Sequence, residues 1–166
     1  MPPAVLITVG NKFADCTRPW IVLGIGASHT DKDWPDAAWS EFLASLNTPG
    51  TVFLIGGPTN AARAQDFTAS TRGVRIVNAC ELRLIEAAAL LRLADLFVGP
   101  SSGPLNLAAA GATQAFGLFG STPVLTYSKF IHAIVPDGGA APGGMARIAP
   151  AQVLERIAPY LSRRKA

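Results

Sequence analysis

The stretch that decides the fold is residues 94–122, which read ADLFVGPSSGPLNLAAAGATQAFGLFGST. A short apolar run, Leu96–Val98, leads into a loop of glycine and serine, and the small-residue segment Pro104–Ala110 follows it. A second apolar run, Ala115–Phe119, comes next. Runs that are continuous rather than alternating are typical of strands buried on both faces of a sheet. The stretch therefore predicts a strand, a helix and a further strand, with the two strands parallel.

The same pattern recurs along the chain. Other apolar runs lie at Ile21–Ile25, Thr51–Ile55, Val74–Val77 and, as a sixth strand, Ile131–Val135. Alternation of strands and helices predicts a parallel sheet with right-handed crossovers and helices on both faces. The fold class is therefore α/β, a Rossmann-like three-layer α/β/α domain with about six strands. We expect a single domain over residues 1–166.

Helices are predicted from apolar periodicity and from capping residues. Trp39, Phe42, Leu43 and Leu46 share one face after Pro35, and Val153, Ile157, Tyr160 and Leu161 share one face near the end. Asn78 and Glu81 resemble a capping box that opens a helix running to about Leu91, with Glu86 a solvated or packing residue. Thr122 and Pro123 predict a further short helix.

Three segments fall outside this pattern. Residues 1–18 are predicted to be a lead-in, with Ala4–Val9 either an edge strand or disordered. Residues 137–149 form a loop rich in glycine and proline, which we expect to be mobile. The basic run Arg163, Arg164 and Lys165 is expected to be a solvated tail.

Composition excludes several classes of protein. Of the 166 residues, 49% are apolar and 15% are charged, as in a packed globular domain. The net charge is only +3 and no basic stripe carries interleaved aromatic residues, so we expect no nucleic-acid partner. No apolar run could span a bilayer and the start does not resemble a signal peptide, which favours the cytoplasm. Cys16 and Cys80 are interpreted as core residues in a reducing compartment.

Glycine-rich loops end the predicted strands at Gly24–Ser28, Gly56–Gly57, Gly99–Gly103 and Gly120–Thr122. Ligands bind beyond the carboxyl ends of such strands, where glycine admits a ligand to the backbone and helix N-termini offer free N–H groups. A phosphate or diphosphate is the natural ligand, although glycine also serves any tight strand-to-helix turn. The dinucleotide signature GxGxxG and the P-loop signature are both absent.

Two features of these loops favour an anion. Ser101, Ser102 and Gly103 open a helix, so that hydroxyl and backbone donors converge, in a role that a simple helix cap would share. Lys32 could reach a phosphate, or could equally be a surface lysine paired with Asp31 and Asp33. His29 and His132 have no companion at metal-ligand spacing, so we expect no metal.

The motifs together resemble glycosyltransferase family 9, which includes the lipopolysaccharide heptosyltransferases. Gly24–Ser28 with Lys32–Pro35 resembles the family segment PGAS…K.WP, and Phe53–Pro58 resembles its next strand and loop. Leu82–Leu96 is similar to L.E.AALL..ADL, and Ser101–Ala108 is similar to DSGPMHLA. Gly117–Pro123 resembles ALFGPTSP. These segments occur in order over roughly residues 21–136.

The resemblance implies the donor-binding, C-terminal half of a GT-B enzyme, in which two Rossmann-like domains clasp the substrates. Its ligand would be a nucleotide-diphosphate sugar of the ADP-heptose type, and the acceptor would be lipopolysaccharide-like. The implied donor-binding residues are Ser28, Lys32, Gly57, Asn60, Ser101, Ser102, Gly103, Asn106, Gly120, Ser121 and Thr122. Any contact with a membrane would be peripheral, at its inner, cytoplasmic face.

The family places the acceptor site and the catalytic carboxylate in an N-terminal half, which the first twenty residues are too few to form. We therefore expect no catalytic residue here and a partner domain from the same or another chain. Three polar positions depart from the family. Ser101 replaces an aspartate, Asn106 replaces a histidine, and an acidic residue is missing near Asn60. These departures leave open an alternative function, a degenerate non-catalytic module that binds nucleotides or proteins.

Overall fold

The computed structural model describes residues 1–162 and contains a six-stranded sheet in which every neighbouring pair of strands is parallel. The strand order is β3-β2-β1-β4-β5-β6. The strands are β1 (Trp20–Gly24), β2 (Thr51–Ile55), β3 (Arg75–Asn78), β4 (Leu96–Pro100), β5 (Gln114–Leu118) and β6 (Ile131–Ile134). The predicted fold class is confirmed, and each strand lies within two residues of its predicted position. The basic run Arg163, Arg164 and Lys165 lies outside the described residues.

Within residues 1–162, six α-helices cover the two faces of the sheet. They are α1 (Pro3–Lys12), α2 (Asp36–Ser45), α3 (Ala61–Ser70), α4 (Leu84–Leu93), α5 (Gly103–Ala110) and α6 (Pro150–Leu161). Side chains of α2, α3 and α6 join one buried apolar cluster, and those of α1, α4 and α5 join the other. The domain thus has three layers, with the sheet in the middle.

The central strands are apolar at nearly every residue because they face helices on both sides. In β1, Ile21 and Leu23 belong to one cluster while Trp20 and Val22 belong to the other. All five residues of β1 are buried, as are all five of β2. The edge strand β3 is exposed or partly exposed at every residue, which explains its mixed sequence RIVN.

The lead-in prediction for residues 1–18 is wrong, because Pro3–Lys12 forms the helix α1. Pro3 occupies the first helical position, where its missing N–H costs nothing. Val5, Val9 and Phe13 are four residues apart, so they share one helix face, and all three pack into the cluster that contains α4. The prediction had left an edge strand and disorder open for Ala4–Val9, and the buried face decides in favour of a helix instead.

Two predicted helix starts are also wrong. The fourth helix begins at Leu84 rather than near Asn78, because Glu86 and not Glu81 supplies the cap: its carboxylate accepts from the Arg83 N–H at 3.0 Å. Asn78 instead turns the chain, with its side-chain oxygen accepting from the Cys80 N–H at 3.2 Å. Thr122 and Pro123 do not begin a helix, since the chain over residues 121–130 consists of bends, turns and irregular structure.

The loop at residues 137–149 is anchored more firmly than its composition predicts. Met145 and Ile148 are buried in the core, and a short 3-10 helix spans Gly144–Arg147. Arg147 donates to the carbonyl of Asp137 at 2.7 Å and to that of Gly139 at 3.2 Å, which closes the loop on itself.

Candidate functional site

A cleft of about 530 Å³ lies at the carboxyl edge of the sheet, where the residues that follow β1, β2 and β4 come together. The order of strands reverses between β1 and β4, so this is the switch point at which Rossmann-like sheets bind their ligands. The volume is in the range of cavities that hold small ligands and cofactors. Among the described residues, those that line the cleft are all uncharged.

One wall of the cleft is made of backbone and small polar side chains. It contains Gly26, Ala27, Ser28, Gly56, Gly57, Pro58, Thr59, Asn60, Ser102, Gly103 and Pro104. Five of the predicted site residues are therefore brought together here: Ser28, Gly57, Asn60, Ser102 and Gly103. Such a wall can offer N–H and hydroxyl donors to an anion without any side-chain charge.

The loop after β2 is closed by Asn60. Its side-chain nitrogen donates to the carbonyl of Gly56 at 2.7 Å. A Cβ on Gly26 would approach this nitrogen to 2.7 Å, so the loop after β1 packs directly on the loop after β2. Gly57 has φ of +79°, a conformation that other residues adopt only under strain. The two loops therefore form one tightly fitted wall.

The third loop ends at the first turn of α5. Ser102 precedes the helix in extended conformation, and its hydroxyl donates to the carbonyl of Pro100 at 3.2 Å. Gly103 is the first helical residue, so its N–H has no partner within the helix. A Cβ on Gly103 would meet no atom within 4 Å. The helix thus presents an open N-terminus to the cleft, where a negative charge is stabilised.

The rest of the cleft lining, the apolar wall, was not predicted from the sequence. It consists of Ile55, Leu82, Leu84, Ala87, Leu91 and Leu107. Leu84, which opens α4, is 75% exposed, whereas Leu91 is fully buried. In the sequence these leucines are indistinguishable from core residues. Together with the polar wall they can hold a ligand with one flat apolar part and one anionic part.

Lys32 lies outside the lining of the cleft, in a short 3-10 helix at Thr30–Lys32 that follows directly from the lining residues Gly26–Ser28. The alternative in which Lys32 pairs with Asp31 and Asp33 is not observed for Asp33, which pairs with Arg63 at 2.8 Å. Burial raises the pKa of the Asp33 carboxyl, although the nearby Arg63 acts in the opposite direction. Nothing in the sequence had singled out Arg63.

Besides Lys32, five further predicted residues are not part of the cleft lining. Ser101 is half-buried beside it, and Asn106 is exposed on α5, where its side-chain oxygen accepts from the Tyr127 hydroxyl at 2.5 Å. Gly120, Ser121 and Thr122 follow β5. Gly120 is buried against Met145, and the Ser121 hydroxyl is a buried group without a hydrogen-bond partner in the described structure.

Within residues 1–162, no group of three or more His, Cys, Asp or Glu side chains is arranged to hold a metal ion. His132 hydrogen-bonds Gln114 at 2.5 Å and stacks on Phe116, and burial lowers the pKa of its imidazole. None of the described helices is long and apolar enough to cross a membrane.

The strand order and the cleft at its switch point define a Rossmann-like α/β domain. A family model described as glycosyltransferase family 9 (heptosyltransferase) matches residues 8–132, which is three quarters of the chain. The chain belongs to this family. A comparison with curated proteins gives no match.

Solved structures of similar fold include members of the same family. The E. coli ADP-heptose lipopolysaccharide heptosyltransferase II is 24% identical with a TM-score of 0.80, covering 97% of this chain and 52% of that one. E. coli heptosyltransferase WaaC with ADP-2-deoxy-2-fluoro heptose is 21% identical with a TM-score of 0.72, covering 87% and 44%. A family 9 glycosyltransferase from Veillonella parvula is 18% identical with a TM-score of 0.79, covering 97% and 52%. The chain spans about half the length of these structures.

Proposed function

We propose that this chain is the donor-binding domain of a glycosyltransferase, a single unit over residues 1–166, and that its cleft takes a nucleotide-diphosphate sugar of the ADP-heptose type. The observation that carries the proposal is the pairing of two walls in one cleft at the switch point of the sheet. The apolar wall suits a nucleobase, and the glycine and serine wall at the α5 N-terminus suits a diphosphate. A relative of the same fold was solved with ADP-2-deoxy-2-fluoro heptose, and another with ADP.

In glycosyl transfer of this kind, an acceptor hydroxyl attacks the anomeric carbon of the donor while the nucleoside diphosphate departs. The departing diphosphate gains negative charge, which the Gly103 N–H, the α5 dipole and Lys32 stabilise. The base that takes the acceptor proton comes from a partner domain in the same or another chain, as does the site for a lipopolysaccharide-like acceptor. The proposed setting is the cytoplasmic face of the inner membrane.

Calorimetric titration of the chain with ADP, and then with ADP-, GDP- and UDP-sugars, tests the proposal. We expect saturable binding of ADP. The variant Gly103→Val places a side chain in open space within the cleft, so it should weaken ADP binding by about tenfold or more without lowering Tm. A folded wild-type chain that binds no nucleotide would refute a working donor site.

The contribution of Lys32 is tested by Lys32→Ala, which should weaken ADP binding by up to about tenfold as one charge is removed from the diphosphate. The matched control is Lys129→Ala. Lys129 is an exposed lysine just before β6, at the amino edge of the sheet and away from the cleft. Equal affinities for the two variants would remove Lys32 from the site.

A second candidate function is a non-catalytic module that binds nucleotides or proteins. Asn60 and Asn106 favour it, because both side chains are engaged in hydrogen bonds within the chain. The family has an acidic residue near the first of these positions and a histidine at the second. The same titration separates the two candidates. A module of this kind would bind free ADP no more weakly than an ADP-sugar, whereas a donor site gains contacts from the sugar.

A further inference from the structure

The loop that carries Ser28 and Lys32 is held at its base by a single side chain. This segment, the Lys32 loop (residues 26–33), connects Ile25 to Trp34. Arg63, in the first turn of α3, contacts the chain on both sides of it. Its Nη1 donates to the carbonyl oxygen of Ile25, and its Nη2 donates to the carbonyl oxygen of Trp34 at 3.1 Å.

Two carboxylates complete the surroundings of the guanidinium. Nη1 also donates to Oδ2 of Asp33 at 2.8 Å, and Nε donates to Oδ1 of Asp36 at 2.7 Å. All three nitrogens of the group are therefore used, in the fork geometry that only arginine provides. The Arg63 side chain is 20% exposed, so these charge-assisted bonds are partly shielded from water.

The attachments on either side of this clamp are rigid. Ile25 is fully buried at the end of β1, and its N–H donates to the carbonyl of Ile55 at 2.9 Å. Trp34 is also fully buried, and its indole N–H donates to the carbonyl of Ile148 at 3.0 Å. Arg63 joins these two residues and also binds Asp33, the last residue of the loop, so it constrains how the loop begins and ends.

We propose that Arg63 is a positioning residue for donor binding, one that places Ser28 and Lys32 at the cleft by clamping the base of the Lys32 loop. This inference rests on the proposed function. Arg63 does not line the cleft and acts through the loop. Without it, the Asp33 carboxylate loses its cationic partner in a half-buried position, and the two ends of the loop lose their bridge.

The test uses Arg63→Met, which keeps an aliphatic side chain near Phe67, and Arg63→Lys, which keeps the charge but not the fork. Arg72→Met is the matched control, because Arg72 follows the same helix and binds the nearby carbonyls of Ala69 and Thr71. We expect Arg63→Met to weaken ADP binding by roughly 10- to 100-fold, Arg63→Lys to restore part of the affinity, and Arg72→Met to bind like wild type.

A double-mutant cycle distinguishes positioning from mere stabilisation. In the Arg63→Met background, Lys32→Ala should cause no further loss of affinity, because the loop no longer presents the lysine. Gly103→Val, on the other side of the cleft, should retain its full effect. Hydrogen exchange should rise selectively at the amides of residues 26–33. If Arg63→Met fails to fold, Arg63→Lys carries the same cycle.

The inference is overturned if Arg63→Met binds ADP as tightly as wild type, or if Lys32→Ala has the same effect in both backgrounds while only Tm falls. These outcomes differ from failure of the proposed function, in which the wild-type chain itself binds no nucleotide. In that case there is no bound donor for Arg63 to position, and both proposals are refuted.

Discussion

At the scale of single residues, one buried carboxylate, that of Asp95, joins the starts of strands β1 and β4. Asp95 precedes β4 and its side chain is 2% exposed. It accepts from the backbone N–H of Trp20 at 2.7 Å and from Arg18 at 2.8 Å. The arginine also lies over the indole of Trp20, 4.3 Å from the ring centroid. This group ties β1 to β4 at the amino edge of the sheet, opposite the cleft.

We expect Asp95→Ala to lower the free energy of unfolding by about 2–4 kcal/mol, because the Trp20 N–H stays buried without this acceptor and Arg18 loses its ion pair. Asp66→Ala on the exposed surface of α3 is the control and should change stability by less than about 0.5 kcal/mol. Urea unfolding measures both. Similar losses in the two variants would contradict this role for Asp95.

At the scale of elements, the strands were predictable and the helix ends were not. Continuous apolar runs such as Thr51–Ile55 report burial on both faces, which only a central strand of a layered α/β domain experiences. Helix ends depend on which polar side chain reaches a free N–H. Glu81 was predicted to be the cap and Glu86 a solvated or packing residue, yet it is Glu86 that reaches a free N–H. The segment that becomes α1 is rich in β-branched residues, and its buried face is defined by contacts with α4 that no local pattern contains.

The loop that follows β6 packs on the loop that follows β5 through a contact between two glycines. A Cβ on Gly144 would collide with the carbonyl group of Gly120, which is a backbone group and cannot move aside cheaply. Gly120 is held in turn by the N–H of Ala141, which donates to its carbonyl at 2.9 Å. Backbone contacts therefore fit the two loops to each other, with one side-chain contact, the Gly120 N–H donating to Sδ of Met145 at 3.3 Å.

We expect Gly144→Ala to lower the free energy of unfolding by about 1–3 kcal/mol through overpacking, and to displace residues 120–122. Gly103→Ala is the matched control, since its Cβ would meet no atom within 4 Å, and it should stay within about 1 kcal/mol of wild type. Chemical denaturation and amide chemical shifts provide the two measurements. Equal midpoints for the two variants would refute the close packing of these loops.

At the scale of the whole molecule, topology explains which candidate residues meet. Loops after β1, β2 and β4 converge because these strands are adjacent in the sheet, although they are far apart in the chain. The strand pattern predicted that Ser28, Gly57 and Gly103 share the carboxyl edge of the sheet, but it put Gly120–Thr122 there equally, and only the strand order shows which loops line the cleft. The apolar wall and the Arg63 clamp could not be predicted, because both depend on side-chain directions that the sequence does not encode locally. Motif similarity also could not show that Asn106 turns to Tyr127 rather than to the cleft.

The same topology makes the packing of each apolar cluster depend on the packing of the other. Neighbouring residues of β1 and β4 point alternately into the two apolar clusters, so neither cluster can lose its packing while the sheet stays intact. Trp34 and Trp39 report on one cluster, and Trp20 reports on the other. The described domain should consequently unfold in one cooperative step.

This expectation is tested in two variants, Trp20→Phe and the double variant Trp34→Phe/Trp39→Phe, each followed in urea by fluorescence and by circular dichroism. Within each variant the two signals should give one midpoint, because fluorescence from either face then reports the same transition as the secondary structure. Comparison within a variant makes any change of stability caused by the substitutions irrelevant. Separate midpoints in either variant would mean that one face unfolds before the other. The cleft, which draws Ile55 and Leu91 from the Trp20 cluster, could then lose its apolar wall while the opposite face stays folded.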